Sequence, residues 1–221
     1  MSKGVKLLIT GLENSGKTTV TSQLEGAMIV VVDEKRYPFN VPHYKMGKYE
    51  GLVGFKNELI AKIKSYKAKF GKNPKTVVID TVTKLYESMY LYANANYKGF
   101  DIHNSISTDT LAFNTLLENL LVANGINVVI AAHVVYDEST ARYIVPATGQ
   151  FKNTGSWLSV VDEASFLYVL GNERWIAHTE IKYPCRSTLD LKPAEPVKAY
   201  DINAHIKSLE AKSNDAEANE L

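Results

Sequence analysis

Four short apolar runs, rich in β-branched residues, punctuate the chain: 5 to 10 (Val-Lys-Leu-Leu-Ile-Thr), 28 to 33 (Met-Ile-Val-Val-Val-Asp), 76 to 80 (Thr-Val-Val-Ile-Asp) and 126 to 132 (Ile-Asn-Val-Val-Ile-Ala-Ala). Such runs are too short for buried helices and predict strands covered on both faces. Between them the period changes to that of a helix. A first helix starts over 18 to 24. A second covers 52 to 70, with Leu52, Phe55, Leu59, Ile63, Tyr66 and Phe70 at helical spacing and Gly71 and Pro74 as stops. A third runs to about Tyr97, with Thr81 as its cap and Val82, Leu85, Met89 and Ala93 inward. A fourth spans 108 to 123 and ends at Gly125. Residues 34 to 51, holding Pro38, Pro42, Gly47 and Gly51, predict an irregular loop. Strands alternating with helices imply a mainly parallel sheet flanked by helices.

The pattern changes after His133. Residues 141 to 145 read as extended, and 164 to 170 and 174 to 179 as a hairpin turning at Gly171-Asn172-Glu173. The expected fold class is therefore α/β, mainly parallel, with a C-terminal antiparallel extension of the sheet. The last fifteen residues lack aromatic and β-branched side chains. They divide the chain into a core over 1–206 and a flexible polar tail or frayed helix over 207–221.

Composition narrows the function classes. With 221 residues and 45% hydrophobic content, the chain suits one domain with a real core. One cysteine, Cys185, excludes disulfide frameworks and cysteine metal sites and points to a reducing compartment. No apolar run reaches the length of a signal peptide or membrane span, so a cytoplasmic protein without a membrane partner is expected. The overall charge of +1 conceals a basic stretch from His43 to Lys75, with nine lysines against two glutamates, a net +7. That stretch suits a polyanion such as nucleic acid, or is the solvated face of the second helix.

Residues 11 to 18, Gly-Leu-Glu-Asn-Ser-Gly-Lys-Thr, carry the most specific chemistry: G-x-x-x-x-G-K-[ST] between a predicted strand and a predicted helix. Gly11 and Gly16 allow backbone conformations closed to other residues, so the N–H groups of the loop, through Asn14, Ser15 and Thr19, can cradle phosphate. Lys17 reaches the β- and γ-phosphates, and the Thr18 hydroxyl ligates Mg²⁺. The expected ligands are ATP and Mg²⁺. Asp80, ending the third apolar run, either completes the Mg²⁺ site from a neighbouring strand end or caps the following helix.

The joint pattern Gly-x4-Gly-Lys-Thr-Thr, Val-Asp-Glu, Val-Val-Ile-Asp-Thr-Val-Thr and Val-Val-Ile-Ala-Ala-His resembles small bacteriophage RecA-like P-loop ATPases associated with single-strand annealing recombination. The resemblance covers about residues 5 to 180. It implies ATP hydrolysis, Mg²⁺, self-association with nucleotide at a subunit interface, single-stranded DNA, and a single-strand annealing or binding protein as partner, in the cytoplasm of the host. Many P-loop ATPases place a glutamate after the strand-end aspartate; Thr81 stands there and cannot act as a base. By the resemblance the general base is Glu34, with Asp33 as the alternative. His133 occupies the place of a polar γ-phosphate sensor. A cation from the neighbouring subunit is expected from Lys152, with Lys182 and Arg186 as alternatives. Residues 134 to 156, with Tyr136, Arg142, Tyr143 and Phe151, suit stacking on unpaired bases. Tyr86, Tyr90, Tyr92 and Tyr97 do not share one helical face and read as surface packing.

Two other functions fit the same loop: a small-molecule kinase, and a nucleotide-binding switch with little turnover. Residues 81 to 125 hold no arginine for a kinase lid, and no Asn-Lys-x-Asp element reads guanine.

Overall fold

The computed structural model describes residues 3–34, 36–146 and 157–218. One eight-stranded sheet forms the centre, built in chain order from β1 (Lys6–Gly11), β2 (Ala27–Val31), β3 (His43–Lys45), β4 (Thr76–Asp80), β5 (Asn127–His133), β8 (Glu163–Leu170), β9 (Glu173–Ala177) and β10 (Ala194–Pro196). Its spatial order is β10-β9-β8-β1-β5-β4-β2-β3. From β8 to β3 every pairing is parallel, whereas β9 and β10 add on antiparallel.

The apolar runs form strands because the sheet is covered on both faces. Along β1, Leu8 points to one layer while Leu7 and Ile9 point to the other, and all three are inaccessible to solvent. The first layer consists of α2 (Gly51–Phe70), α3 (Val82–Asn96) and α4 (Phe100–Leu120), which bring Phe55, Leu59, Leu85, Met89, Phe113 and Leu117 onto the sheet. The opposite layer is α1 (Lys17–Thr21) and α6 (Ile202–Glu217), with Val20, Ile202, Ile206 and Leu209. Each such side chain, fully buried, stabilises the fold by roughly 1.5–3 kcal/mol. A single turn, α5 (Trp157–Val160), adds Trp157 to the first layer, stacked 5.8 Å from Tyr86.

Several expectations are corrected. The loop over 34 to 51 contains β3, which pairs Ile29 with His43 and Val31 with Lys45. It has no apolar pattern because it is an edge strand with little to bury. Helix α4 begins at Phe100 rather than near 108; of the apolar residues in its first two turns only Ile106 is buried, so little helical period marks them. Thr81 stands at the start of α3 but makes no capping hydrogen bond; its hydroxyl pairs instead with that of Thr83 at 3.0 Å. The hairpin of β8 and β9 extends the main sheet as expected, but the extended segment over 141 to 145 does not join it: strands β6 (Val135–Asp137) and β7 (Arg142–Ile144) form a separate two-stranded ribbon.

The chain from Lys207, expected as a flexible tail or frayed helix, continues α6 as far as Glu217. Leu209 is 3% exposed there, and the Asp201 carboxylate accepts from the N–H groups of Asn203 (2.9 Å) and Ala204 (3.2 Å) to start the helix. One buried apolar residue per turn suffices when a sheet lies beneath. Of the four tyrosines, Tyr86 is buried, Tyr92 half-buried, and Tyr90 and Tyr97 are exposed. Among the described residues, no helix is long and apolar enough to cross a membrane.

Candidate nucleotide-binding site

Strand register brings the site together. Gly11 lies opposite His133, Asp80 opposite Ala131, and Val31 opposite Asp80, so the ends of β1, β5, β4 and β2 form one rim. A cleft of about 580 Å³ opens over that rim. Ligands of open parallel sheets bind at such carboxyl ends.

The loop from Gly11 to Gly16 is shaped by contacts that exclude side chains. A Cβ on Gly11 would lie 2.4 Å from Ser15 Oγ and 2.5 Å from the Leu167 carbonyl of the adjoining strand. Gly16 has φ 103° and hands the chain to α1, whose first bond runs from Val20 N–H to the Gly16 carbonyl at 3.0 Å. Asn14, at φ 59°, supplies the intervening left-handed turn, a conformation asparagine tolerates. Ser15 Oγ is buried and has no hydrogen-bond partner among the described residues. An orphaned hydroxyl inside a glycine loop fits a phosphate oxygen.

Lys17 is only 6% exposed. Its ammonium donates to the carbonyls of Gly11 (2.8 Å) and Leu12 (2.7 Å), leaving one N–H for a ligand. Burial lowers its pKa to about 8, against the pull of Asp80 and Glu13 in the other direction. Asp80 is as deeply buried, and burial raises its pKa. A hydrogen bond from the Thr18 side chain and the charge of Lys17 oppose that rise, while Asp33 reinforces it. Thr18 and Asp80 therefore present a hydroxyl and a carboxylate side by side. Mg²⁺ prefers one or two such oxygens together with phosphate and water, and these residues fit it. Among the described residues no group of three His, Cys, Asp or Glu side chains forms an all-protein metal cage.

His133 lines the cleft half-buried, its backbone N–H directed to Thr83 Oγ1 at 3.4 Å. Burial first, then Lys17 and Lys84, lower the imidazole pKa, so the ring is neutral at pH 7. Its Nδ1 is buried without a hydrogen-bond partner among the described residues. Asp33 and Glu34 part company just beyond β2. Asp33 lines the cleft and acts electrostatically on Asp80, His133 and Lys84. Glu34 is exposed and absent from the cleft wall, and its carbonyl accepts from Lys45 Nζ at 2.7 Å. Thr19 is in the wall, whereas Lys182 and Arg186 are not. Lys182 sits 3.6 Å from Glu180 and over the Tyr183 ring, and Arg186 donates to the Leu158 carbonyl at 2.8 Å. Lys152, with Phe151, lies outside the described residues.

Among the wall residues that sequence reasoning missed are Glu13, Arg36, Tyr37, Phe39, Lys84 and Arg174. Lys84 lies in the first turn of α3, just beyond the strand that ends at Asp80, a position that could have flagged it. Tyr37 and Phe39 stand out as aromatics in an otherwise polar loop. Arg174 carries no local signal, because only strand pairing brings it to the loop.

A protein-family model described as an AAA domain matches residues 3–201. The chain belongs to that family. Membership agrees with the P-loop α/β architecture and supports a P-loop AAA-type ATPase domain. The comparison with curated proteins returns no match.

Proposed function

We propose that this AAA domain is a Mg²⁺-dependent ATP hydrolase that works with single-stranded DNA in the cytoplasm, in phage recombination or replication. One observation carries the hydrolase reading: the buried Lys17 ammonium and the Thr18–Asp80 oxygen pair meet under a glycine loop whose Ser15 hydroxyl lacks a partner. When bound, Mg²⁺ would offset phosphate charge, and Thr18 and Asp80 are the residues that would hold it.

The chain's own residues do the rest. Lys17 neutralises charge building on the β–γ bridging oxygen as its bond to the γ-phosphorus breaks and the bond from water forms. A carboxylate beyond β2 accepts the water's proton. Asp33 takes that role ahead of Glu34, because it faces the cleft while Glu34 turns to solvent. Neutral His133 can donate to the γ-phosphate and report its presence to the β6–β7 ribbon that follows it.

Single-stranded DNA is supported by a second cleft, of about 590 Å³, between β3 and α2. It is lined by His43, Tyr44, Lys62, Tyr66, Lys69 and Phe70. The Lys62 and Lys69 ammonium groups each lie 5.4 Å from an aromatic ring centre, those of Tyr44 and Phe70. Cations beside flat rings suit a phosphodiester strand with unpaired bases. Residues 36 to 42 separate the two clefts, and the Tyr37 and His43 rings meet across that wall at 4.9 Å. Self-association with the nucleotide at the interface, and a single-strand annealing or binding partner, belong to the same proposal.

The deciding measurement is phosphate release with and without an oligonucleotide. Release stimulated by single strands supports the proposal. Phosphate transfer to a metabolite would make the chain a kinase, and tight ATP binding without release would make it a switch.

A further inference from the structure

Resting on the reading of the main cleft as an ATP site, we propose that Arg174 supplies the arginine of that site from within the same chain, contacting the triphosphate directly. The expected source was a neighbouring subunit. The fold offers a nearer one.

Strand pairing sets the position. Leu167 of β8 pairs with Gly11 at the mouth of the phosphate loop, and β8 then runs on to Val169, which pairs with Arg174 of β9. The β8–β9 hairpin thus overhangs the loop from the side opposite Asp80 and His133. The Arg174 side chain lies along it. Its Cδ, Nε and Cζ are 3.0, 3.4 and 4.0 Å from where a Cβ on Gly16 would stand. Arg174 lines the same cleft as Lys17 and Thr18.

The hairpin does not use this charge elsewhere. Glu173, the adjacent residue, is paired with Lys198 at 2.5 Å. The Arg174 side chain makes no hydrogen bond or ion pair with another described residue. An unpaired guanidinium, held by its stem against a phosphate-binding loop, presents its planar donor fork to an anion. Lys17 spends two of its donors on the carbonyls of Gly11 and Leu12. A triphosphate needs more positive charge than that, and most of all as bonding shifts between water and leaving group.

The test uses the full chain and reads both nucleotide affinity, with a fluorescent ATP analogue, and steady-state phosphate release. Arg174→Ala should lower kcat on the order of a hundredfold or more, with a smaller change in KM, and Arg174→Lys should recover part of the loss. Lys198→Ala, which frees Glu173 on the same hairpin without touching the cleft, should behave like the wild type and so separates loss of the arginine from loosening of the strand. Mixing Arg174→Ala with Lys17→Ala protein distinguishes the source of the cation. If Arg174 serves its own loop, no mixture contains an intact site and activity stays at the sum of the two variants. Restored activity in the mixture, or an Arg174→Ala protein with wild-type kcat and KM, overturns the proposal. If the wild-type protein releases no phosphate, the hydrolase reading fails on its own account. Affinity then decides: Arg174→Ala binding the analogue as tightly as wild type overturns the inference, and at least tenfold weaker binding upholds it.

Discussion

Two regions of this molecule bury ionisable side chains, and only one of them is built to receive a ligand. In the phosphate-loop cleft, Lys17 and Asp80 are both 6% exposed, of opposite charge, and adjacent to open space. Behind β8, under the C-terminal helix, Glu163, His178 and His205 are 1%, 0% and 4% exposed. There Ser165 Oγ meets His178 Nδ1 at 2.8 Å, and His178 Nε2 lies 3.5 Å from Glu195, an order that resembles a hydrolase triad. Tyr200 Oη meets His205 Nδ1 at 2.8 Å, and Glu163 accepts from the N–H and hydroxyl of Thr188. The seryl oxygen belongs to a residue 1% exposed, so no substrate can reach it.

The two regions differ in what burial does to charge. In the cleft, burial lowers the Lys17 pKa to about 8 and raises that of Asp80, but the two opposite charges pull against those shifts, and Lys17 keeps its proton at pH 7. In the sealed cluster, burial dominates: it lowers the His205 pKa to about 4, with the charge of His178 adding to the effect, and it lowers that of His178 as well. Both rings are neutral at pH 7 and fasten α6 to the sheet. A buried titratable group marks a functional site only where it is also accessible and faces a complementary charge.

Breaking the first region should have the largest effect. Lys17→Ala removes the cation fixed beneath the phosphates and should abolish nucleotide binding or turnover while leaving the thermal melt near that of wild type; a variant that still hydrolyses ATP at the full rate would remove the site assignment. Next comes the acid that faces the cleft. Asp33→Asn should preserve ATP binding and cut turnover on the order of a hundredfold, read in a single-turnover assay; a rate within twofold of wild type would move the base elsewhere.

The sealed cluster should respond to pH rather than to nucleotide. A histidine whose folded pKa lies near 4 takes up its proton more readily when unfolded, where its pKa is about 6.5. Between those values the unfolded state binds more protons, so stability is complete above pH 6.5 and is lost as pH falls towards 4. For His205 the loss amounts to roughly 3 kcal/mol at its limit. Urea denaturation across that window measures it, and His205→Gln should flatten the profile; a curve unchanged by that substitution would show that other groups govern acid stability. The smallest effect belongs to Glu34→Gln. An exposed side chain outside the cleft should change turnover by less than about twofold and stability by within ~0.5 kcal/mol. A hundredfold loss there would return the base to Glu34.

Much of this was legible in the residues alone. The phosphate loop, the strand ending at Asp80 and the strand leading to His133 were readable because buried parallel strands are continuous apolar runs, and because only glycine suits the close approach at position 11. The edge strand β3, the first turns of α4 and the second half of α6 were not. Each is held by a partner distant in sequence, Ile29 to Val31 for β3 and the sheet for Leu209, and leaves little local pattern.

The same division runs through the site. Lys17 and Thr18 follow from spacing along the chain, because a loop and its flanking strand and helix are local structures whose geometry neighbouring residues dictate, whereas Asp80 is readable as a strand end and reaches the loop only through strand pairing. Asp33 facing inward while Glu34 faces solvent, and Arg174 lying against Gly16, were settled only by tertiary pairing. The direction of a side chain beyond a strand end, and the reach of a hairpin formed some 160 residues after the loop it overhangs, depend on which strands lie side by side, and no local propensity encodes that.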